Sequence, residues 1–127
     1  MPLAPITVRF GPTYERDIKR ASLGPKTTAE LQEAWDGIVA AFETNSNHPS
    51  EMTAGTAIPK NNREIYKIRV ADPDHNAGKS GSYRLIYWWR AETRELIGLY
   101  FFHKSEKDDV TQKEINAARQ RFVARSI

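Results

Sequence analysis

Lys67 and Arg69 stand two residues apart in Tyr66-Lys67-Ile68-Arg69-Val70. In a strand, a period of two sets both cations on one face and turns Tyr66, Ile68 and Val70 to the other. Cations held that close repel unless an anion lies between them. A single pair of this kind is more often a solvated strand face than a site. Here, however, further cations follow: Arg84, Arg90, Lys104 and Lys107 on or just beyond the next two strand-like stretches, with Lys79 between them. Convergence of Lys67, Arg69, Arg84 and Lys104 would build a cationic groove, whose usual occupant is phosphate.

Other chemistries find less support. The chain has no cysteine, which excludes disulfides, thiolate nucleophiles and cysteine-ligated metals. His48 and His75 lie in polar loops without metal-ligand spacing, so no metal site is expected. The serines share no triad motif with a histidine. His103 is the one titratable acid beside the basic segment, but alternation turns it to the face opposite Lys104. Asp108 and Asp109 precede a helix and suit its positive N-terminus, with no catalytic role required. Of Trp88 and Trp89, one must point away from the helix-covered core, where it could stack on RNA or be covered by a protein partner.

The elements that must carry these residues are legible from spacing. Residues 6–10 alternate as a short strand, ended by Gly11-Pro12, and Pro12 suits the first turn of a helix carrying Tyr14, Ile18 and Ala21. Ser22-Leu23-Gly24-Pro25 breaks it. Thr27 and Glu30 read as a capping box for a second helix, striped by Leu31, Ala34, Trp35, Ile38, Val39 and Phe42. From Asn45 to about Asn62 the chain is small and polar, with Gly55 and Pro59 as breakers, and reads as an ordered loop. Residues 64–70, 83–90 and 95–104 are rich in β-branched and aromatic types and read as strands. A long polar loop, 72–81, joins the first two, and the tight turn Ala91-Glu92-Thr93-Arg94 joins the last two. A second capping box, Thr111 with Glu114, opens a last helix with Ile115, Ala118, Phe122 and Val123 inward. The expected order is β-α-α-β-β-β-α, an α+β domain with a helix pair on one face of a mainly antiparallel sheet.

At 127 residues the chain suits one domain, residues 1–127, with 39% hydrophobic and 28% charged residues as in globular proteins. The opening Met1-Pro2-Leu3-Ala4-Pro5 shows neither the basic nor the apolar region of a signal peptide, and no apolar run suffices to span a bilayer. A cytoplasmic location without membrane contact is therefore expected. Net charge is only +3, so the placement of the cations matters more than their sum.

Three segments in order carry a family likeness. They are Tyr66-Lys67-Ile68-Arg69-Val70, then Gly78-Lys79-Ser80-Gly81-Ser82-Tyr83-Arg84-Leu85-Ile86-Tyr87-Trp88, then Phe102-His103-Lys104-Ser105-Glu106-Lys107-Asp108-Asp109. Together they resemble the RelE/ParE toxin superfamily, nearest its HigB-like and RelE-like branch, over roughly residues 64–115. The resemblance implies the toxin of a toxin–antitoxin pair, a metal-independent and cofactor-free endoribonuclease that cuts mRNA on the ribosome. It implies the RNA's own 2′-hydroxyl as nucleophile and an antitoxin protein as partner. Carried over by residue, Lys67, Arg69, Arg84 and Lys104 are the catalytic set, with Lys67 as base or electrostatic stabiliser and Arg84 holding the phosphate. Lys79, Tyr83, Phe102, His103 and Lys107 are the expected RNA contacts. Relatives place an arginine and a tyrosine where this chain has Ser105 and Thr111. Phe102 replaces another tyrosine, so it can stack on a base but cannot donate a proton, and the acid for the leaving oxygen has no assignment. The same superfamily includes gyrase-inhibiting ParE toxins, which lack the basic catalytic strand. A member that only binds RNA or protein is the remaining alternative.

Overall fold

The computed structural model describes residues 4–75 and 82–125. These form five strands and four α-helices in the order β1 (Thr7–Phe10), α1 (Pro12–Ala21), α2 (Pro25–Thr44), α3 (Glu51–Ala54), β2 (Thr56–Ala57), β3 (Ile65–Val70), β4 (Tyr83–Arg90), β5 (Glu95–His103) and α4 (Gln112–Arg125). A 3-10 turn, Pro73–His75, follows β3. The class is α+β, with sheet order β1-β5-β4-β3-β2, and β1 pairs parallel to β5 while the other pairs are antiparallel. Among the described residues no helix is long and apolar enough to cross a membrane.

The stretch expected to be a loop before β3 instead contains α3 and β2, a single helical turn and a two-residue edge strand. Elements that short leave no periodicity to detect. The helix pair lies on one face of the sheet, as the sequence implies, and the last helix takes the other. α1 and α2 cover one face, where Tyr14, Leu31, Trp35 and Phe42 meet Tyr66, Tyr83, Leu85, Tyr87 and Trp89. α4 covers part of the other, where Ile115, Ala118 and Phe122 meet Ile65, Ile86, Trp88, Ile97 and Leu99. Both tryptophans are thus buried. Trp88 packs edge-on to Phe122 at 6.3 Å, and its indole N–H donates to Glu64 Oε2 at 3.3 Å. Neither is left for RNA.

β5 carries a bulge where it pairs with β4: Ile86 opposes Tyr100, but Tyr87 opposes Gly98. The extra residue, Leu99, resets the alternation. Ile97 and Leu99 face α4, yet so do Tyr100 and Phe102 beyond the bulge, while Phe101 turns to α1 and α2. A bulge re-aims the side chains that follow it, and here it delivers Phe102 to the face that carries Arg84.

Helix starts divide between expectation and correction. Thr111 and Glu114 form the reciprocal box: Thr111 N–H donates to Glu114 Oε1 at 2.9 Å and Glu114 N–H to Thr111 Oγ1 at 3.1 Å. The Thr27–Glu30 box does not form, because α2 begins at Pro25, which is favourable at the first helical position. Its open N–H groups are served from a distance. Thr27 N–H donates to Asp74 Oδ2 at 2.8 Å, and Thr27 Oγ1 donates to the buried Asp72 at 2.7 Å. The two aspartates of the 72–81 loop are thus used inside the fold; residues 76–81 lie outside the described residues.

Candidate phosphate-binding groove

β3 and β4 pair so that Arg69 lies directly opposite Arg84 and Lys67 opposite Ile86. Arg84 in turn opposes Phe102 across β5. Lys67, Arg69, Arg84 and Phe102 therefore share one face, the one α4 covers only at its far end. There the sheet opens into a groove of about 390 Å³, lined by Lys67, Arg69 and Arg84, with Glu51, Met52, Gly55, Thr56, Ile68 and Asp108 around them. Its outer wall stands close because of Gly55. That residue has φ 85°, and a Cβ there would meet the Lys67 carbonyl oxygen at 2.2 Å.

The electrostatics of the groove are unbalanced. Burial, then the facing charge of Arg69, pushes the Arg84 guanidinium below its ordinary value, and Asp109 only partly offsets this. Like charges directly opposite on paired strands are destabilising. Among the described residues no carboxylate forms an ion pair with Arg69 or Arg84. Lys67 Nζ lies 3.0 Å from Asp109 Oδ2. Burial raises the Asp109 carboxyl, but the Lys67 hydrogen bond, the Val110 N–H and the charges of Lys67 and Arg84 outweigh it and hold it below the usual range. Two guanidiniums and an ammonium on one concave surface can grip the oxygens of a phosphate diester, while Phe102, expected to stack on a base, is buried behind them in the core under α4.

The expected site residues divide by face. Lys67, Arg69, Arg84 and Phe102 come together as described. Lys107 joins them: its ammonium lies 5.8 Å from the Tyr100 ring and 5.9 Å from the Phe102 ring, and it pairs with Glu114. Lys104 is exposed one residue beyond β5, and its N–H donates to Ser82 O at 2.9 Å, at the same end of the sheet. Tyr83 and His103 do not face the groove. They oppose each other on the α1 side, where the Tyr83 ring stacks on Phe101 at 4.6 Å and meets His103 edge-on at 5.1 Å. His103 Nδ1 is engaged by Ser105, whose Oγ lies 2.7 Å away. Lys79 lies outside the described residues. Among the described residues no group of three or more His, Cys, Asp or Glu side chains is placed to hold a metal ion.

Three solved structures align with most of the chain. A mutant of the Escherichia coli toxin RelE in its free state aligns over 98% of this chain and 100% of that one, at 18% identity and TM-score 0.47. The isolated Escherichia coli RelE toxin aligns over 91% and 97%, at 16% identity and TM-score 0.48. The Mycobacterium tuberculosis RelBE2 toxin–antitoxin complex aligns over 80% and 94%, at 22% identity and TM-score 0.45. No protein-family model and no curated protein matches the chain.

Asp109, paired with Lys67, and Tyr100, packed under α4, are not assigned these places by the sequence. Asp109 does not serve the helix N-terminus, as its position just before α4 suggested; it turns to Lys67, 42 residues away in the chain. Tyr100 faces α4 only because of the bulge, and its hydroxyl donates to Glu114 O at 2.9 Å. An acidic residue just after a basic segment is too common a pattern to have flagged Asp109.

Proposed function

We propose that the chain is a RelE-type toxin that cuts mRNA on the ribosome without metal or cofactor. The observation that carries this reading is the unneutralised Arg69–Arg84 pair beside Lys67 in an open groove. Such an arrangement costs stability in the free protein and gains only when a phosphate enters. In the reaction the RNA 2′-oxygen attacks the adjacent phosphorus and loses its proton, and the bond from phosphorus to the 5′-oxygen breaks. The products are a 2′,3′-cyclic phosphate and a free 5′-hydroxyl, whose oxygen takes its proton from water because no side chain is assigned as the acid. Arg84 and Arg69 hold the phosphate as charge builds on its oxygens, and Lys67 is the base or stabiliser of the attacking oxygen. Lys104 positions the flanking backbone. Lys107 contacts the substrate beside the groove, and Lys79 is a further proposed contact; Phe102 and Tyr83 are buried and His103 lies on the other face, so these three are not assigned to the RNA. The sequence likeness supplies the partners: an antitoxin that blocks the toxin, and the ribosome with its mRNA in the cytoplasm.

The test is inducible expression with mapping of mRNA 5′ ends on translated messages. Cuts that disappear in Lys67→Ala and Arg84→Ala support the reading, and growth arrest without cleavage refutes it. A binding-only protein is the second reading, favoured by Phe102, which puts no proton donor beside Arg84. It predicts RNA binding with normal growth and intact messages.

A further inference from the structure

One carboxylate already stands where the groove would hold a phosphate. Asp109 Oδ2 lies 3.0 Å from Lys67 Nζ, and Asp109 is the anion that partly relieves Arg84 of the Arg69 charge. A carboxylate and a phosphate accept from the same cationic donors, so the two compete for Lys67. The backbone around Asp109 is fixed without that contact. Val110 packs against the core under α4, and the Thr111–Glu114 box anchors the next turn. Asp109 Oδ1 accepts the Val110 N–H at 2.8 Å, which holds the side chain toward Lys67. Rotation about χ1 would free Lys67 while the helix stays in place. The pair is also weakly held, with side-chain exposures of 41% and 52%, and exposed pairs contribute little.

We propose that Asp109 is a positioning residue that occupies the phosphate place on Lys67 in the free protein and is displaced by the entering RNA backbone. This rests on the groove being a phosphate site. It adds a selection step: an anion must engage Arg69 and Arg84 as well before it displaces Asp109 from Lys67. A phosphate diester in a strand meets that condition, because its neighbours hold it in place.

The test uses a labelled single-stranded 2′-O-methyl RNA, which cannot be cut, titrated at fixed ionic strength into the wild type, Asp109→Asn, Lys67→Ala, the double variant and Arg84→Ala. Asparagine keeps the shape and removes the charge. Asp109→Asn is expected to bind about two- to fivefold tighter, and the gain is expected to vanish in the Lys67→Ala background. Unchanged or weaker binding by Asp109→Asn overturns the proposal. A gain that persists without Lys67 also overturns it, because Asp109 would then only lower the groove's net charge. Undiminished binding by Arg84→Ala removes the phosphate-groove reading, and this inference with it. Weakened binding by Arg84→Ala with no gain in Asp109→Asn removes the inference alone.

Discussion

Arg90 and Arg119 at one end of the sheet, and Arg69 and Arg84 at the other, lie on the same face and are treated in opposite ways. Where α4 meets the sheet, Arg90 from β4 and Arg119 from α4 itself each place a guanidinium 5.0 Å from the Trp88 ring centre. Each has a carboxylate, Glu95 at 3.5 Å for Arg90 and Glu64 at 3.1 Å for Arg119. In the groove the two arginines face each other with no such partner. The fold neutralises its cations where a helix covers them and leaves them unmatched where the sheet is open, which is what the proposed anion site requires. The contrast separates arginines that serve packing from those the proposal gives to a phosphate, without reference to any relative.

Variants at the two ends should therefore fail differently. The largest loss is expected at the covered end: Phe122→Ala, which empties a fully buried ring site against Trp88, should lower unfolding free energy by roughly 3–5 kcal/mol in denaturant titrations. At the open end, Arg84→Ala should reduce single-turnover mRNA cleavage by about 10²–10³, the scale for removing one preorganised electrostatic donor. Its thermal midpoint should stay level or rise, because Arg69 loses a repulsive neighbour. If Arg84→Ala unfolds the protein while Phe122→Ala does not, the assignment of the two ends is reversed. Arg119→Ala should cost about 1 kcal/mol through its ring contact and half-exposed Glu64 pair, and cleavage should be unchanged.

The sequence exposed one end of this contrast better than the other. β3, β4 and β5 are legible because runs of six to nine residues dense in β-branched and aromatic types are a strong signal, and a period of two sets Lys67 and Arg69 on one face. The apolar stripe of α4 showed that it covers a surface, but a stripe does not say which face of the sheet it meets. The bulge at Ile86 and Tyr87 could not be counted from residue types, so Tyr100 was overlooked although Phe102 was named. Asp74 capping α2 and Asp109 holding Lys67 join residues 47 and 42 positions apart. Contacts that distant depend on the whole fold and leave no local pattern.

The smallest expected effect concerns how pH acts at the open end. The Asp109 carboxyl is held below its ordinary value in the folded protein, so its ion pair stabilises the fold above the unfolded carboxylate range. That contribution should fade as pH falls through the depressed folded value. With both side chains more than a third exposed, it should amount to well under 1 kcal/mol. Urea titrations of wild type and Asp109→Asn should therefore agree within a few tenths of a kcal/mol at pH 7 and converge further toward pH 3. A gap of 2 kcal/mol or more at pH 7 would make Asp109 a structural partner like Glu64, and the two ends of the sheet would no longer differ in kind. A gap near zero leaves Lys67 held by a contact that contributes almost nothing to folding, as expected of one meant to be exchanged.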